Sequence, residues 1–185
     1  HGLIDKSVRA LYEDEKGIIW VGTATGVSKF ENGTFTTVIG KEKGQHPCVA
    51  IAGDQSGTIF LGTVGGGLIT VFRGTQIRIT KKEGMLDNTV RSLLFSDRKL
   101  YIGTSSGFSV YDGKNFAHYT EHNGFKNTTV RSIFKSNDGT IWLGTANDGI
   151  AAWKNGKFTW YQLPVDEDVT VYSIEQGKFG NMWFG

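Results

Sequence analysis

The sequence predicts an all-β fold, a β-propeller of four-stranded antiparallel blades, and three observations predict it. An aromatic-X-Gly-Thr motif recurs at a nearly constant interval, and glycine is abundant while proline is rare, with 26 and 2 of 185 residues. No segment sustains the 3.6-residue apolar period of a helix. Because a small twisted sheet cannot bury both faces alone, repeats of roughly 40 residues stack around an axis. About 4.5 repeats of ~41 residues fit in the chain, so we predict a partial propeller.

The repeat is defined by two motifs that keep the same period. The first reads WVGT, FLGT, YIGT, WLGT and an unfinished WFG; it starts at Trp20, Phe60, Tyr101, Trp142 and Trp183, at intervals of 40, 41, 41 and 41 residues. The second, VRALYED in its first copy, starts at Val8, Cys48, Val90, Val130 and Val171. We therefore predict one domain over residues 1–185, with blades at approximately 8–47, 48–89, 90–129 and 130–170 and an incomplete blade at 171–185.

Each repeat contains four short β-type segments. In the fourth copy the predicted strands are Val130 to Lys135, Thr140 to Thr145, Gly149 to Trp153 and Lys157 to Tyr161. These segments are rich in β-branched and aromatic residues and are separated by turn sequences. The Asn155-Gly156 pair between the last two strands is a strong hairpin signal. The segments therefore predict an antiparallel meander in which the repeated aromatic and glycine residues serve blade packing.

The composition excludes several classes of protein. With 20 basic and 18 acidic residues, the net charge of +2 lacks the concentrated positive field that a nucleic-acid backbone requires, so we predict no nucleic-acid partner. No apolar run approaches the ~18 residues of a membrane span, so we predict no membrane contact by this segment. The single cysteine, Cys48, cannot form an internal disulfide and is predicted to be a buried small hydrophobe.

Catalytic and metal-binding motifs do not emerge from the sequence. It contains no GxSxG, GxxxxGK[ST] or CxxC motif. His118 and His122 are spaced like a helical zinc pair, but they lie in strand and loop sequence. The acidic stretch Asp166–Asp168 lacks the spacing of a calcium loop. We predict no catalytic residue, no metal site and no cofactor.

The segment VRSIFKSNDGTIWLGTANDGI, from Val130 to Ile150, resembles the two-component regulator propeller repeat. The opening HGLIDKSV resembles the linker that precedes each such repeat. The resemblance extends in tandem over essentially the whole chain. It implies a large propeller in the extracytoplasmic part of a bacterial hybrid sensor histidine kinase, a class that detects oligosaccharides. Because the chain starts at a repeat boundary and stops inside a strand, we expect it to be a piece of such a sensor.

The function predicted from this resemblance is ligand sensing. The chain would be a non-enzymatic, periplasmic segment of a histidine kinase that recognises a glycan or other small ligand. Its predicted partners are further propeller blades of the parent chain and a second copy in a homodimer. The first alternative is a propeller used only as a protein-interaction scaffold.

A propeller glycosidase or lyase is the remaining alternative. The segment SNDGTIW, from Ser136 to Trp142, is similar to the Asp-box of sialidases but is one residue short between aspartate and glycine. No tyrosine nucleophile with a carboxylate partner can be assigned. The catalytic histidine and metal-binding acids of virginiamycin-inactivating lyases cannot be assigned either.

The candidate ligand-binding residues lie on one predicted face. Loops entering the first strand of each blade and loops joining the second and third strands open on the same side, and loops on a rigid scaffold often carry function. The loop candidates are Ser105, Ser106, Asn147, Asp148 and His122, with His46 and Asp166–Asp168 beside them. Arg9, Arg91, Arg131 and Tyr172 occupy one equivalent position at the channel mouth. Guanidinium groups there suit a sugar or carboxylate, or alternatively they satisfy loop carbonyls between blades.

Overall fold

The computed structural model describes residues 2–40, 46–126, 129–162 and 169–185. Within these ranges, eighteen strands form four four-stranded sheets and one two-stranded sheet, and no α-helix is present. Each four-stranded sheet has its strands in chain order with antiparallel pairing. The predicted all-β architecture of four-stranded blades is therefore confirmed. The candidate stretch Asp166–Asp168 lies outside the described residues.

The strands follow the repeat. Blade 1 contains β1 (Val8–Glu13), β2 (Ile19–Thr23), β3 (Val27–Glu31) and β4 (Thr34–Ile39). Blade 2 contains β5 (Cys48–Gly53), β6 (Ile59–Thr63), β7 (Leu68–Phe72) and β8 (Thr75–Ile79). Blade 3 contains β9 (Val90–Ser96), β10 (Lys99–Thr104), β11 (Gly107–Tyr111) and β12 (Phe116–Tyr119). Blade 4 contains β13 (Val130–Lys135), β14 (Ile141–Thr145), β15 (Ile150–Lys154) and β16 (Lys157–Tyr161). The last sheet pairs β17 (Ile174–Gln176) with β18 (Met182–Phe184), and short 3-10 turns span Lys81–Glu83 and Glu121–Asn123.

The fourth blade departs from its predicted strands at three positions. Strand β14 begins one residue later than predicted because the backbone N–H of Thr140 donates to the Asp138 carboxylate (3.1 Å) instead of entering the sheet. Strand β15 begins after Gly149, whose φ of +76° belongs to a turn and not to a strand. It ends at Lys154, one residue later than predicted, because Lys154 pairs with Lys157 of β16. The first and last strands have the predicted bounds. Hydrogen bonding and backbone conformation near the turns thus shift strand ends by one residue and leave the four-stranded blade unchanged.

The motif aromatics join each blade to the next. Trp20 of blade 1 packs in a buried cluster with Leu61 and other residues of blade 2. Three further ring contacts cross from one blade to the next: Phe60 with Phe95 (5.6 Å between centroids), Tyr101 with Trp153 (6.1 Å) and Trp142 with Phe184 (5.7 Å). Such aromatic pairs stabilise beyond the area they bury. The repeated aromatic position is therefore the packing element of the interface between blades, which we call the seam.

The glycine of the motif lets the seam close. A Cβ atom on Gly103 would lie 2.8 Å from the backbone oxygen of Val130 in the next blade, and it would also clash with the Ser92 hydroxyl. Gly144 meets Ser132 and Val171 in the same way. Since any side chain would push the neighbouring blade away, this position accommodates only glycine without rearrangement.

The two ends of the described array expose positions that the internal seams cover. Val8 and Leu11 of β1 are 42% and 66% exposed, whereas Val90 and Val130, the counterparts of Val8, are fully buried. At the other end Trp183 is 64% exposed, although the same motif position is buried at Trp20, Phe60 and Tyr101. The sheets do not close into a ring, so the chain is a partial propeller with one uncovered blade face at each end.

Candidate ligand-binding site at the channel mouth

A β-bulge begins the innermost strand of every four-stranded blade. In blade 3, Val90 pairs with Thr104 and Ser92 pairs with Gly103, so Arg91 between them has no cross-strand partner. The same register shift occurs in the other blades, and the bulged residues are Arg9, Val49, Arg91 and Arg131. Bulges bend a strand and re-aim a side chain, and they are over-represented beside active sites. The repeat therefore directs one side chain per blade away from the ladder at the channel mouth.

Arg91 is half-buried and held by the loop between β10 and β11. Its Nε donates a hydrogen bond to the Ser105 hydroxyl (3.2 Å). Burial lowers the pKa of Arg91, the positive charge of Arg131 lowers it further, and the negative charge of Asp87 opposes both effects. Arg91 and Arg131 occupy equivalent bulges of β9 and β13, which contact one another across adjacent blades. The sequence prediction that Arg91 and Ser105 share a surface agrees with this contact.

Arg131 is half-buried, and its Nε is a buried donor without a hydrogen-bond partner among the described residues. The carbon of its guanidinium lies 5.7 Å from the centroid of the Tyr172 ring, which is a cation–π arrangement. Tyr172 itself is 67% exposed. Ser105, Arg91, Arg131 and Tyr172 therefore follow one another across three neighbouring blades, and we call them the channel-mouth cluster.

Arg9 is not part of this cluster. It is exposed on blade 1, and blade 2, which carries Val49 at the equivalent bulge, separates it from Arg91. The equivalence of the arginines in the repeat is therefore correct, but the apolar substitution in blade 2 interrupts the row. The adjacent cations are those of blades 3 and 4 alone.

Ser106, another predicted ligand-binding residue, has its hydroxyl engaged inside the loop. The hydroxyl donates to the Asp87 carboxylate, and the second oxygen of Asp87 accepts the backbone N–H of Thr89 (2.7 Å). Blade 1 contains the equivalent contact between Thr25 and Asp5 (2.9 Å). In blades 1 and 3 these pairs join the linker before the blade to the loop after its second strand. Sequence reasoning missed them, although the aspartate three residues before the strand valine, in GLIDKSV and GMLDNTV, is a visible signal.

The remaining candidates lie apart from the channel-mouth cluster. Asn147 is exposed, has a φ of +74°, and donates its backbone N–H to Val169 (3.3 Å). Asp148 forms an ion pair with Lys126 (3.6 Å), and the same ammonium lies 4.8 Å from the Trp160 ring. These side chains form a second group beside the outer strand β16.

The two histidine candidates also lie away from the channel-mouth cluster. His122 is exposed in the 3-10 turn after β12. The half-buried His46 lies against Gly65 and Gly66 in blade 2. Neither histidine is brought next to Arg91 or Arg131 by the elements that carry them.

Clefts also open on the opposite face, where sequence reasoning placed no site. One of about 510 Å³ lies between the turns of blades 1 and 2 and is lined by residues that include Asp14, Lys29 and Arg73. Another of about 520 Å³ lies between blades 2 and 3 and has a more apolar lining, with Phe60 and Phe95. They form where turns from two blades face each other, so a motif within one repeat does not reveal them.

Outside the channel-mouth cluster, the described residues contain no group of metal ligands and one buried cysteine. Among the described residues, no group of three His, Cys, Asp or Glu side chains could hold a metal ion. Over the same ranges, no helix has the length and apolar character needed to cross a membrane. Burial raises the pKa of the Cys48 thiol to about 12, and a backbone hydrogen bond with Ala50 only partly offsets this rise. Cys48 is therefore a protonated packing residue at neutral pH, as the sequence predicts.

The sequence comparison identifies a repeat family. The model of the two-component regulator propeller family matches residues 2–25 and 124–147. Each segment contains a linker and the first two strands of a blade. The second segment, in blade 4, includes Arg131. The resemblance noted in the sequence is therefore confirmed at these two segments, which match the two-component regulator propeller model. No curated protein matches the sequence.

Solved structures support the same fold over nearly the whole chain. The extracellular domain of the hybrid two component system BT3049 of B. thetaiotaomicron is 24% identical, with a TM-score of 0.79 over 96% of this chain and 26% of that one. The corresponding domain of BT4673 from the same organism is 19% identical, with a TM-score of 0.85 over 100% and 26%. This chain thus spans about a quarter of their length. Virginiamycin B lyase from Staphylococcus aureus is 13% identical, with a TM-score of 0.79 over 98% and 64%. At these identities the likeness establishes the β-propeller fold.

Proposed function

We propose that the chain is a non-enzymatic, ligand-sensing propeller segment from the periplasmic part of a hybrid two-component sensor histidine kinase, and that it recognises a glycan. The observation that carries the proposal is the channel-mouth cluster, in which Arg131 lies beside the exposed ring of Tyr172 and Arg91 occupies the equivalent bulge of the adjacent blade. The family of the repeats and the solved extracellular domains of hybrid two component systems support the sensor class.

The chemistry of the cluster suits a saccharide. A guanidinium is a planar set of five N–H donors, so it can bind two neighbouring oxygens of one ligand at once. The Tyr172 ring offers an exposed flat surface against which the apolar face of a sugar ring can pack. Since these side chains belong to three successive blades, one ligand would bridge blades that are otherwise joined only through the seams. Signalling would follow from a ligand-driven change in how propellers are oriented in a dimer.

The test is a binding screen with a stacking variant. Purified chain is titrated calorimetrically with a panel of neutral and acidic oligosaccharides, and the best binder is then titrated into Tyr172→Ala. We expect the variant to bind about tenfold more weakly, equivalent to about 1.4 kcal/mol. The control is Tyr161→Ala, since Tyr161 is exposed on the outer strand β16. Absence of any saccharide binding contradicts the proposal and favours an interaction scaffold, as does equal loss in both variants.

The exposed ends provide a second part of the proposal: they are covered by further blades of the same repeat. Val8, Leu11 and Trp183 occupy positions that are buried or half-buried at the internal seams, so a blade is the partner whose shape they match. An uncovered strand and an apolar face favour association of the purified chain, including a homodimer.

Sedimentation velocity tests this association. We expect the chain to self-associate and the variants Leu11→Lys and Trp183→Lys to shift it toward monomer. Ile77→Lys is the matched control, because Ile77 is 59% exposed on the outer strand β8, away from both ends. A wild-type chain that is monomeric and unfolds cooperatively contradicts this part of the proposal.

A further inference from the structure

The arginines of the channel-mouth cluster form no ion pair in the described part of the chain. The four ion pairs there join other residues, and they are Lys29–Glu31, Lys126–Asp148, Lys135–Asp97 and Lys154–Asp138. Arg91 and Arg131 nevertheless occupy equivalent bulges of the contacting strands β9 and β13. Partly buried like charges without a partner destabilise the fold. Their placement on adjacent blades therefore favours a role outside folding.

The Asp87 carboxylate forms no ion pair with either arginine. Asp87 acts on Arg91 through its charge, but both of its oxygens are engaged, one by the Thr89 N–H and the other by the Ser106 hydroxyl. Blade 1 builds the same contact with Asp5 and Thr25, where the bulge arginine is exposed. The aspartate is therefore part of the loop framework of the repeat and is not a dedicated partner of Arg91.

The hydrogen-bond donors of the two arginines are also largely unused. Arg91 donates its Nε to Ser105, and no hydrogen bond joins its terminal nitrogens to the described residues. Arg131 makes no side-chain hydrogen bond to these residues, and its buried Nε lacks a partner. Buried polar groups are almost always paired, so an unpaired donor needs an explanation. Donors that the chain leaves unused at the mouth of a channel are ready for a ligand with several oxygen acceptors.

We propose that Arg91 and Arg131 bind an anionic group, a carboxylate or a sulfate, carried by an acidic saccharide whose ring packs on Tyr172; this rests on the glycan-binding function proposed above. Anionic oxygens accept two parallel hydrogen bonds from one guanidinium, and such charge-assisted bonds are about twice as strong as neutral ones. An anion placed between the arginines also converts their mutual repulsion into two attractions. The bulges of adjacent blades supply the spacing, and Ser105 orients Arg91.

The experiment compares acidic and neutral ligands of the same size. Calorimetry is performed on the purified chain with trigalacturonate, with its fully methyl-esterified form, with a sulfated chondroitin disaccharide and with inorganic sulfate. We expect at least one acidic saccharide to bind about tenfold or more tightly than the ester. Raising the ionic strength from about 0.05 M to about 0.5 M should weaken the acidic ligand selectively, since salt screens charges. Inorganic sulfate separates recognition of the anion alone from recognition of the sugar that carries it.

Four variants locate the site. Arg91→Gln and Arg131→Gln should each weaken the acidic ligand about tenfold or more while leaving thermal unfolding within a few degrees of wild type. Arg73→Gln should leave affinity unchanged, because Arg73 lies in a turn on the opposite face. Arg131→Lys distinguishes a forked donor from a point charge and should recover only part of the affinity.

The outcomes separate this inference from the function on which it rests. Equal binding of ester and acid, or unchanged affinity in both glutamine variants, overturns the anionic site. Binding of neutral saccharides alone keeps the glycan function and overturns the inference. Failure of every saccharide to bind removes both.

Discussion

Three consecutive residues of β9 belong to two regions of different character, the seam and the channel mouth. Val90 is fully buried in the seam, and the Ser92 hydroxyl crosses it to the carbonyl of Val130 (3.3 Å). Arg91, between them, is bulged out of the ladder and carries an unneutralised charge. All three positions recur along the chain, so recurrence does not separate framework from site. What separates them is whether the polar atoms are satisfied.

The repeated arginines could alternatively donate hydrogen bonds to loop carbonyls between blades, and the observed hydrogen bonds bear on this alternative. The carbonyls at the seam are approached by serine, since Ser92 donates to Val130 and Ser132 donates to Val171 (3.1 Å). Arg91 instead donates to a hydroxyl, and the Arg131 Nε has no partner among the described residues. The seam is therefore closed by short side chains, and the arginines are left for the channel.

The largest expected effect comes from opening the seam between blades 3 and 4. Phe108 is fully buried and contacts Trp153 and Phe158 of the next blade as well as rings of its own blade. Phe108→Ala should lower the free energy of unfolding by about 3–5 kcal/mol in urea denaturation, because it leaves a cavity. Phe179→Ala, at a 91% exposed position, should change it by about 0.5 kcal/mol or less. Similar losses in both would mean that the seam does not carry the stability.

The second effect tests close approach in the same seam. Gly103→Ala places a Cβ 2.8 Å from the backbone oxygen of Val130, so the neighbouring blade must move. We expect a loss of about 1–3 kcal/mol in the free energy of unfolding, the usual cost of overpacking. Gly40→Ala is the control, since its Cβ would meet only the Thr37 methyl group at an ordinary 3.7 Å. A Gly103→Ala protein as stable as this control would show that the seam tolerates a shift.

The seam was the more predictable of these regions. A period near 41 residues, an aromatic and a glycine at fixed places are local features, and stacking of identical units leaves one arrangement that buries them. The strands of blade 4 were accordingly predicted to within one residue. The misses at Thr140 and Gly149 arise from a carboxylate acceptor and a positive φ, which act over only two or three residues.

The channel mouth was predictable in part. Equivalence in the repeat placed Arg91, Arg131 and Tyr172 together, but the bulge depends on pairing between two strands and cannot be derived from one of them. Arg9 is separated from Arg91 because blade 2 carries Val49, and not an arginine, at the equivalent bulge. The Asp87–Ser106 contact and the clefts of the opposite face join segments from different loops or blades, so the pattern of one segment does not contain them.

A third, smaller effect concerns Asp14, a carboxylate beside the seam whose oxygens accept hydrogen bonds. Burial alone would raise the pKa of Asp14, but hydrogen bonds from the Trp20 indole and from the backbone N–H groups of Ile18 and Lys16 outweigh it, so the pKa is lowered. The stability that the ionised Asp14 carboxylate contributes to the fold is therefore fully present above the unfolded-state pKa of about 3.9. It is lost as the pH falls through the folded-state pKa.

Asp14→Asn tests this contribution. At pH 7 the variant should lose about 1 kcal/mol of unfolding free energy, because charge-assisted hydrogen bonds are replaced by neutral ones. Its unfolding free energy should also fall less steeply than that of wild type as the pH drops below about 5. Denaturation curves recorded from neutral to acidic pH measure both quantities. The exposed neighbour variant Glu15→Gln is the control, and a wild-type pH dependence in Asp14→Asn would contradict the assignment.

The smallest expected effect has the opposite sign and compares the two regions directly. Arg131→Gln removes a charge that repels Arg91 and a buried Nε that lacks a partner, while keeping much of the side-chain volume. We expect the free energy of unfolding to rise or to change by no more than about 0.5 kcal/mol, since sites built for ligands are often locally unfavourable for the fold. Ser132→Ala, the next residue along β13, removes a seam hydrogen bond and should cost about 1 kcal/mol. If Arg131→Gln instead destabilises the chain as much as Ser132→Ala does, the arginine belongs to the framework. If Arg131→Gln stabilises the chain and weakens the binding of an acidic ligand, Arg131 serves ligand recognition and not folding.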